Sequence, residues 1–311
     1  MPPVITVDTL TKRYRAADRN AVDGVSFEVA DGEFFALLGP NGAGKTTTIS
    51  ILTTTLQSTS GTVTVTGRDI RREASAVRRA IGIIFQNPSL DLNLTAEENI
   101  RFHAVLYGVA PYRPLFSLMP AAYRQKVHEL AEVLGIARDL DKPVRTFSGG
   151  MKRKLEIVRS LIHRPKVLFL DEPTTGLDPA SRRAVWEYLR GVRATDGTTV
   201  FLTTHYLEEA EGADAICIIN NGTIVAAGSP ASVKAQLVRE WLLLDGDDRD
   251  ALRAELIALG LDPGQGPPFR VGLDGRSAAA IVQAIRTPLT FLRTVDPTLE
   301  DAYLAIVGKE E

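Results

Sequence analysis

The sequence predicts an α/β protein: a mixed central sheet with an antiparallel β subdomain and a helical subdomain, followed by a small C-terminal α/β domain. Three observations predict it. Short unbroken apolar runs recur in the first part of the chain: FFALLG (34–39), IGIIF (81–85), KVLFLD (166–171), TVFLTT (199–204) and AICIIN (215–220). Two alternating segments, VSFEV (25–29) and GTVTVTG (61–67), stand among turn residues. Stretches with helical spacing lie between the runs, and the composition changes after GSPASV (228–233).

Each observation has a physical basis. Unbroken apolar runs of this length suit strands buried on both faces, as in a parallel sheet covered by helices. Strict alternation suits strands with one solvated face, hence the antiparallel pieces. After Ser148, the positions Met151, Leu155, Val158 and Ile162 form one apolar stripe at helical spacing. The core domain is therefore placed at 1–230, with its helical subdomain at about 87–165. Beyond it, EWLLLD, RDALRAELIALG, FRVGL, SAAAIVQAI, LTFLRTV and TLEDAYLAIVG alternate strand and helix, which makes 231–311 a separate accessory α/β domain. That domain carries no recognisable chemistry.

Composition removes several function classes. Apolar residues at 44% and charged residues at 24% exclude wholesale disorder. Lys and Arg (36) nearly cancel Asp and Glu (38), so the chain has no basic field for holding nucleic acid, and none is expected as a partner. The start, MPPVITVDTLTKRY, has no basic stretch leading into an apolar core, so no secretory signal is expected. No apolar stretch approaches the roughly 20 residues that span a bilayer. The chain is expected on the cytoplasmic side, with any membrane role supplied through a partner. The single cysteine, Cys217, lies inside AICIIN and reads as a buried small hydrophobe.

Two motifs carry chemistry. Gly39, Pro40, Asn41, Gly42, Ala43, Gly44, Lys45 and Thr46 fit G-x-x-x-x-G-K-[ST] directly after the apolar run FFALL. A polyphosphate needs many donors at close range; small residues let successive N–H groups turn inward, and the following helix adds its positive end. Lys45 is expected to reach the β- and γ-phosphates, Thr46 to present its hydroxyl to Mg²⁺, and Thr47 to bond the α-phosphate. ATP or GTP is the implied ligand. The second motif, KVLFLDEP, places Asp171 and Glu172 at the carboxyl end of a buried strand. On its own such a pair marks a solvated strand end or a helix cap. Beside a phosphate loop it supplies a water-mediated Mg²⁺ ligand, Asp171, and a group that orients the attacking water, Glu172.

Between these motifs lies FSGGMKRKLEI (147–157), and with it residues 3–230 resemble the ATPase subunits of ATP-binding-cassette (ABC) transporters. The resemblance follows the family order: Tyr14, the loop Gly39–Thr47, Gln86, Ser148-Gly149-Gly150, Asp171-Glu172, Leu177-Asp178 and His205. It implies a P-loop ABC ATPase core, ATP and Mg²⁺ as cofactors, and a head-to-tail dimer. In that dimer Ser148, Gly149 and Gly150 of one subunit meet the γ-phosphate held by an identical or related second subunit. Ser148 is suited to cap the helix that Gly149 and Gly150 begin, so a hydroxyl and the positive helix end face outward together. The resemblance further implies that Gln86 contacts Mg²⁺ and the attacking water, that Asp178 shapes the dimer seam, and that His205 bonds the γ-phosphate. Tyr14 is open to two readings, stacking on adenine or packing at a strand end. Met151 departs from the Gln that many members carry there, while the Ser and both glycines are intact.

Phrases such as SLDLNLTAEENI, THYLEEAE and DPTLEDAYLAIVG resemble the bacterial drug-resistance and antibiotic-export branch, which implies a separate permease and outward transport of hydrophobic compounds. Export of a lipid, polysaccharide or natural product is the alternative. A soluble ABC ATPase of ribosomes or DNA is disfavoured by single copies of each motif, and a non-hydrolysing regulator by the presence of Glu172, Gln86 and His205. VAPYRPLFSLMPAAYRQ (109–125) is equally a permease-docking surface or a plain connecting loop.

Overall fold

The computed structural model describes residues 2–303 apart from 16, 87–88, 176, 238–240, 265, 274, 296–297 and 302, and side-chain surroundings at 196, 236 and 237 lie outside the description as well. The chain divides into two units, Met1–Ala227 and Gly228–Glu311.

Strands β1 (Ile5–Lys12), β2 (Val22–Val29), β4 (Ser60–Val65) and β5 (Arg68–Asp69) form a four-stranded antiparallel sheet in the order β2-β1-β4-β5. Strands β3 (Phe34–Leu38), β6 (Ile81–Ile84), β7 (Val167–Asp171), β8 (Thr199–Thr204), β9 (Ala215–Asn220) and β10 (Thr223–Gly228) form the second sheet, in the order β10-β9-β3-β8-β7-β6. The five unbroken apolar runs are the parallel strands β6, β7, β8, β3 and β9 of this sheet. Every residue of β3, β7 and β8 is buried, as expected of strands covered on both faces.

The two alternating segments are indeed antiparallel strands, but they do not pair with each other. Both pair with β1, which lies between them and which the hydrophobic pattern does not mark. The reason is local. Ile5, Val7 and Leu10 point inward, and the step from Val7 to Leu10 breaks the period of two. The break is a bulge: the register shifts there, and Thr9 takes a positive φ of 49°.

A row of aromatic rings joins the sheets. Phe27 of β2 stacks on Phe35 of β3 at 5.2 Å, Phe35 on Phe201 of β8 at 5.2 Å, and Phe201 tilts onto Phe169 of β7 at 5.4 Å. Each such pair adds about 0.5–1.5 kcal/mol beyond the burial of its surface. Cys217 of β9 belongs to the same core at 2% exposure, and burial pushes its thiol up to about 12. Thiol reagents at pH 8 are expected to label Cys217 at least about 100-fold more slowly in the folded protein than in denaturant. Comparable rates in the two states would mean that β9 opens readily.

Helices follow the parallel strands and leave the strands' carboxyl ends on one side. Helix α1 (Lys45–Leu52) follows β3; α2 (Ala74–Ala80) leads into β6; α6 (Pro179–Asp196) follows β7; α7 (Leu207–Ala210) follows β8. Between β6 and β7 lie α3 (Ala96–Leu106), α4 (Ala121–Val133) and α5 (Gly149–Leu161). A capping box starts α3: Thr95 Oγ1 accepts from the Glu98 amide, and the Thr95 amide donates to the Glu98 carboxylate.

Helix α5 packs against α3, α4 and β6. Strand β6 is a sheet edge, and side chains of α5 and the turn after it occupy its outward carbonyls in sequence. His163 Nε2 donates to Ile81 O at 2.9 Å, Ser160 Oγ to Ile83 O at 2.9 Å, and Arg153 to Phe85 O just past the strand. An edge that would otherwise expose acceptors is thereby closed.

The second unit contains α8 (Pro230–Leu237), β11 (Trp241–Gly246), α9 (Arg249–Ala258), β12 (Phe269–Gly272), α10 (Ala278–Ala284) and β13 (Leu289–Val295). Its antiparallel sheet has the order β12-β11-β13, and Leu242, Leu244, Leu252, Leu256, Phe269, Val271 and Ile281 form a separate core. The end of the tail segment TLEDAYLAIVG lies outside the described residues. No helix among the described residues is long and apolar enough to cross a membrane.

Candidate functional site

The phosphate loop occupies the turn from β3 into α1, and two of its glycines are sterically required. A Cβ on Gly39 would stand 2.2 Å from the Ile219 carbonyl oxygen. Gly44 holds φ 111°, and a Cβ there would stand 2.4 Å from the Ala21 carbonyl oxygen. The loop is thus pressed against β9 and the start of β2, which fixes its curvature. Asn41, Gly42 and Thr46 face solvent, while Ala43, Gly44 and Lys45 are buried. Lys45 Nζ bridges the loop, donating to Gly39 O at 2.7 Å and Pro40 O at 3.0 Å. Burial lowers its pKa, against the opposing pull of Glu172 and Asp171, so its ammonium sits within the field of both carboxylates. Thr46 and Thr47 lie in the first turn of α1, and the Tyr14 hydroxyl lies 3.2 Å from Thr47 Oγ1. That bond sets a 45% exposed aromatic ring beside the loop, with Lys12 Nζ 5.4 Å from the ring centre.

Asp171 ends β7 and Glu172 follows it. Burial raises the Asp171 pKa, while a hydrogen bond donated by the Thr203 hydroxyl of β8 to its Oδ1 acts the other way. Glu172 gathers the remaining polar groups. Gln86 Nε2 donates to its Oε2 at 3.0 Å, and His205 Nδ1 lies 3.0 Å from its Oε1. One carboxylate therefore ties together three segments that follow β6, β7 and β8. Its backbone is unusual: Glu172 has φ 48°, in the left-handed region that a long side chain rarely adopts.

The carboxyl ends of the parallel strands thus carry a group in two bonded parts, Tyr14 with the phosphate loop and Gln86 and His205 with Glu172, and the charges of Glu172 and Asp171 act on Lys45 to couple them. No hydrogen bond among the described residues joins Ser148, Gly149, Gly150 or Asp178 to that group. Ser148 and Gly149 are exposed at the start of α5, where Ser148 Oγ accepts from the Met151 amide at 3.2 Å. Leu177 lies close to Gly150: a Cβ there would be 3.5 Å from Leu177 Cδ2. Asp178 caps α6, accepting from the Ala180 and Ser181 amides at 3.0 Å each, and the Ser181 side chain and these amides hold its carboxyl below the usual range.

The donors suit Mg²⁺. A hard cation of this kind takes one or two oxygens from protein and the rest from phosphate and water; Thr46 and Asp171 offer a hydroxyl and a carboxylate. Sequence reasoning missed Arg153, Glu156 and Thr203, which hold these groups in place. Their mark in the sequence is faint, because an Arg and a Glu three apart on a helix read as a solvated face.

The family profile described as ABC transporter matches residues 22–175. The chain is 36% identical to a Nod factor export ATP-binding protein I of Ralstonia nicotianae, over 99% of this chain and 95% of the relative. It is 43% identical to the daunorubicin resistance ATP-binding protein DrrA3 of Streptomyces coeruleorubidus, over 75% of this chain and 70% of the relative. Among solved structures, an ATP-binding subunit of an ABC transporter superposes with a TM-score of 0.66 at 31% identity, covering 75% of this chain and 92% of that one. A dimeric post-hydrolysis ATP-binding cassette bound to ADP and Pi superposes at 0.65 with 26% identity, covering 72% and 98%.

Proposed function

The chain belongs to the ATP-binding subunits of ABC transporters, and from that premise we propose that it is the ATPase motor of an exporter, working as a head-to-tail dimer beneath a separate permease. It binds ATP and hydrolyses it, as the family does. The observation that carries the mechanism is the junction at Glu172, where Gln86, His205 and the field of Lys45 converge on one carboxylate beside the phosphate loop.

In this reading the amides from Gly39 to Thr47 cradle the phosphates, Lys45 spans the β- and γ-phosphates, and Tyr14 stacks on adenine. Thr46 and Asp171, with Gln86, would hold Mg²⁺, which would supply charge neutralisation on the phosphates. Glu172 orients the attacking water and accepts its proton, and His205 hydrogen-bonds the γ-phosphate. Ser148 and Gly149, exposed, and half-buried Gly150 beside them at the capped start of α5 close on the nucleotide of the second subunit. Asp178 shapes the seam while capping α6. Binding energy drives closure, and loss of the bridging phosphate lets the pair open.

The permease contact is placed on the surface around α3 and the segment that follows it. Phe102, Leu106, Val109, Tyr112, Leu115 and Leu118 are all exposed, Leu106 by 82%. Phe102 and Tyr112 stack at 6.1 Å, and buried Arg101 grips the Arg113 and Pro114 carbonyls at 2.7 Å each. A concentration of exposed apolar side chains on an anchored loop suits a protein partner. The subunit then sits on the cytoplasmic side of the membrane, and 228–311 serves as an accessory domain. Relatives named for daunorubicin resistance and for Nod factor export support outward transport. A drug-like hydrophobic compound is the favoured cargo class, with a lipid, polysaccharide or natural product as the alternative.

The test is to tag the Glu172→Gln variant, solubilise membranes gently with ATP and Mg²⁺, and identify what co-purifies. A stoichiometric multi-span protein is expected. A protein that stays in the soluble fraction and brings down ribosomes or nucleic acid overturns the transporter reading and leaves the ATPase in place.

A further inference from the structure

Three consecutive carbonyls of the turn that presents Glu172 are bonded by one side chain, and that side chain comes from the helix that Ser148 caps. Arg153 of α5 is 4% exposed and engages all five of its N–H donors. Nε donates to Pro173 O at 2.6 Å, and Nη2 donates to Asp171 O at 3.1 Å and Glu172 O at 3.0 Å. Nη1 donates to Phe85 O and to Glu156 Oε2, the latter at 3.1 Å. Four of the five acceptors are main-chain carbonyls. Three belong to consecutive residues centred on Glu172, and the fourth immediately precedes Gln86.

The same helix also grips the chain beyond Gln86. Glu156 Oε1 accepts from the Ser89 amide at 2.9 Å, and Arg159 donates to Ser89 O and Oγ at 2.6 Å each. A buried ion pair is no better than packed apolar side chains at holding a helix in place. What apolar side chains cannot do is fix carbonyls. The left-handed φ of Glu172 is a conformation that persists only where its surroundings impose it, and Arg153 bonds the carbonyls on both sides of it.

Building on the reading of Glu172 as the group that orients water, we propose that Arg153 is a positioning residue for hydrolysis: its guanidinium locks the Glu172 turn and the Gln86 strand end to α5, so that displacement of α5 is passed to the catalytic carboxylate. A lysine cannot replace it, because an ammonium has three donors radiating from one atom and no planar fork to span acceptors on two segments.

The experiment is steady-state ATPase kinetics and nucleotide binding on Arg153→Lys, alone and combined with Glu172→Gln. Arg153→Lys is expected to lower kcat at least about tenfold while KM and the ATP dissociation constant stay within about twofold. In the Glu172→Gln background it should cost nothing further, because a residue that acts through Glu172 has nothing left to position. Should the lysine variant fail to fold, Arg153→Leu with Glu156→Leu removes both charges of that pair together, leaves Arg159 its two hydrogen bonds to Ser89, and is expected to bind ATP with the same kcat deficit. Parental kcat in either folded variant, or losses that multiply with Glu172→Gln, overturns the proposal. Parental turnover in Glu172→Gln alone removes the Glu172 reading and this one with it; slow turnover there beside a fully active Arg153→Lys removes only the positioning role.

Discussion

Glu172→Gln is expected to slow ATP hydrolysis by about 10²–10⁴ while ATP binding persists. The substitution is close to isosteric. Its amide oxygen remains able to accept from Gln86 Nε2, which now lies 3.0 Å from Glu172 Oε2, and the amide still fills the place beside His205 Nδ1 at 3.0 Å. What disappears is a negative charge and a proton acceptor at the point where β6, β7 and β8 deliver their polar groups. The phosphate loop, pressed on Ile219 and Ala21, is untouched by the change. Turnover under saturating ATP is the measurement, paired with nucleotide affinity. A variant that turns over like the parent removes Glu172 from its role, whereas one that loses affinity as well shows that the carboxylate shapes the loop through Lys45.

The parallel sheet was legible because burial on both faces leaves an unbroken apolar run, and FFALL, KVLFLD and TVFLTT cannot be mistaken for alternating strands. The phosphate loop was legible for a related reason: its glycines meet a steric demand that leaves few other residue types. β1 was not legible, because a bulge at Thr9 shifts its inward residues out of period. Helix α5 was half legible. The stripe Met151, Leu155, Val158 and Ile162 announces one face, while Arg153, Glu156 and Ser160 occupy the opposite side. Those three are buried all the same, since they bond to carbonyls or to each other at the edge of β6 and the end of β7. Hydrophobic pattern records what is removed from water and kept apolar; a polar face buried against main-chain acceptors leaves no such record. Ser148–Gly150 and Asp178 pose a different difficulty, as their expected partner belongs to another subunit and, among the described residues, Ser148 and Asp178 make side-chain bonds only as helix caps.

Lys45→Ala should separate binding from chemistry in the opposite direction. Its ammonium bridges Gly39 O and Pro40 O at the mouth of the loop, and burial lowers its pKa, so its charge is kept in a costly place. Glu172 and Asp171 offset part of that cost, and a polyphosphate arriving in the loop would offset more. A charge-assisted hydrogen bond is worth about 1.5–3 kcal/mol. Removing the ammonium is therefore expected to raise the ATP dissociation constant by about ten- to a hundred-fold. A thermal melt with and without nucleotide checks this, because a ligand raises the midpoint only as far as its affinity allows. Lys45→Ala should lose most of the ATP-induced rise that Glu172→Gln retains. An undiminished rise in Lys45→Ala would mean that the backbone amides and the helix end bind the phosphates without the lysine. The loop would then be a neutral cradle, and the influence of Lys45 would be confined to the two carboxylates behind it.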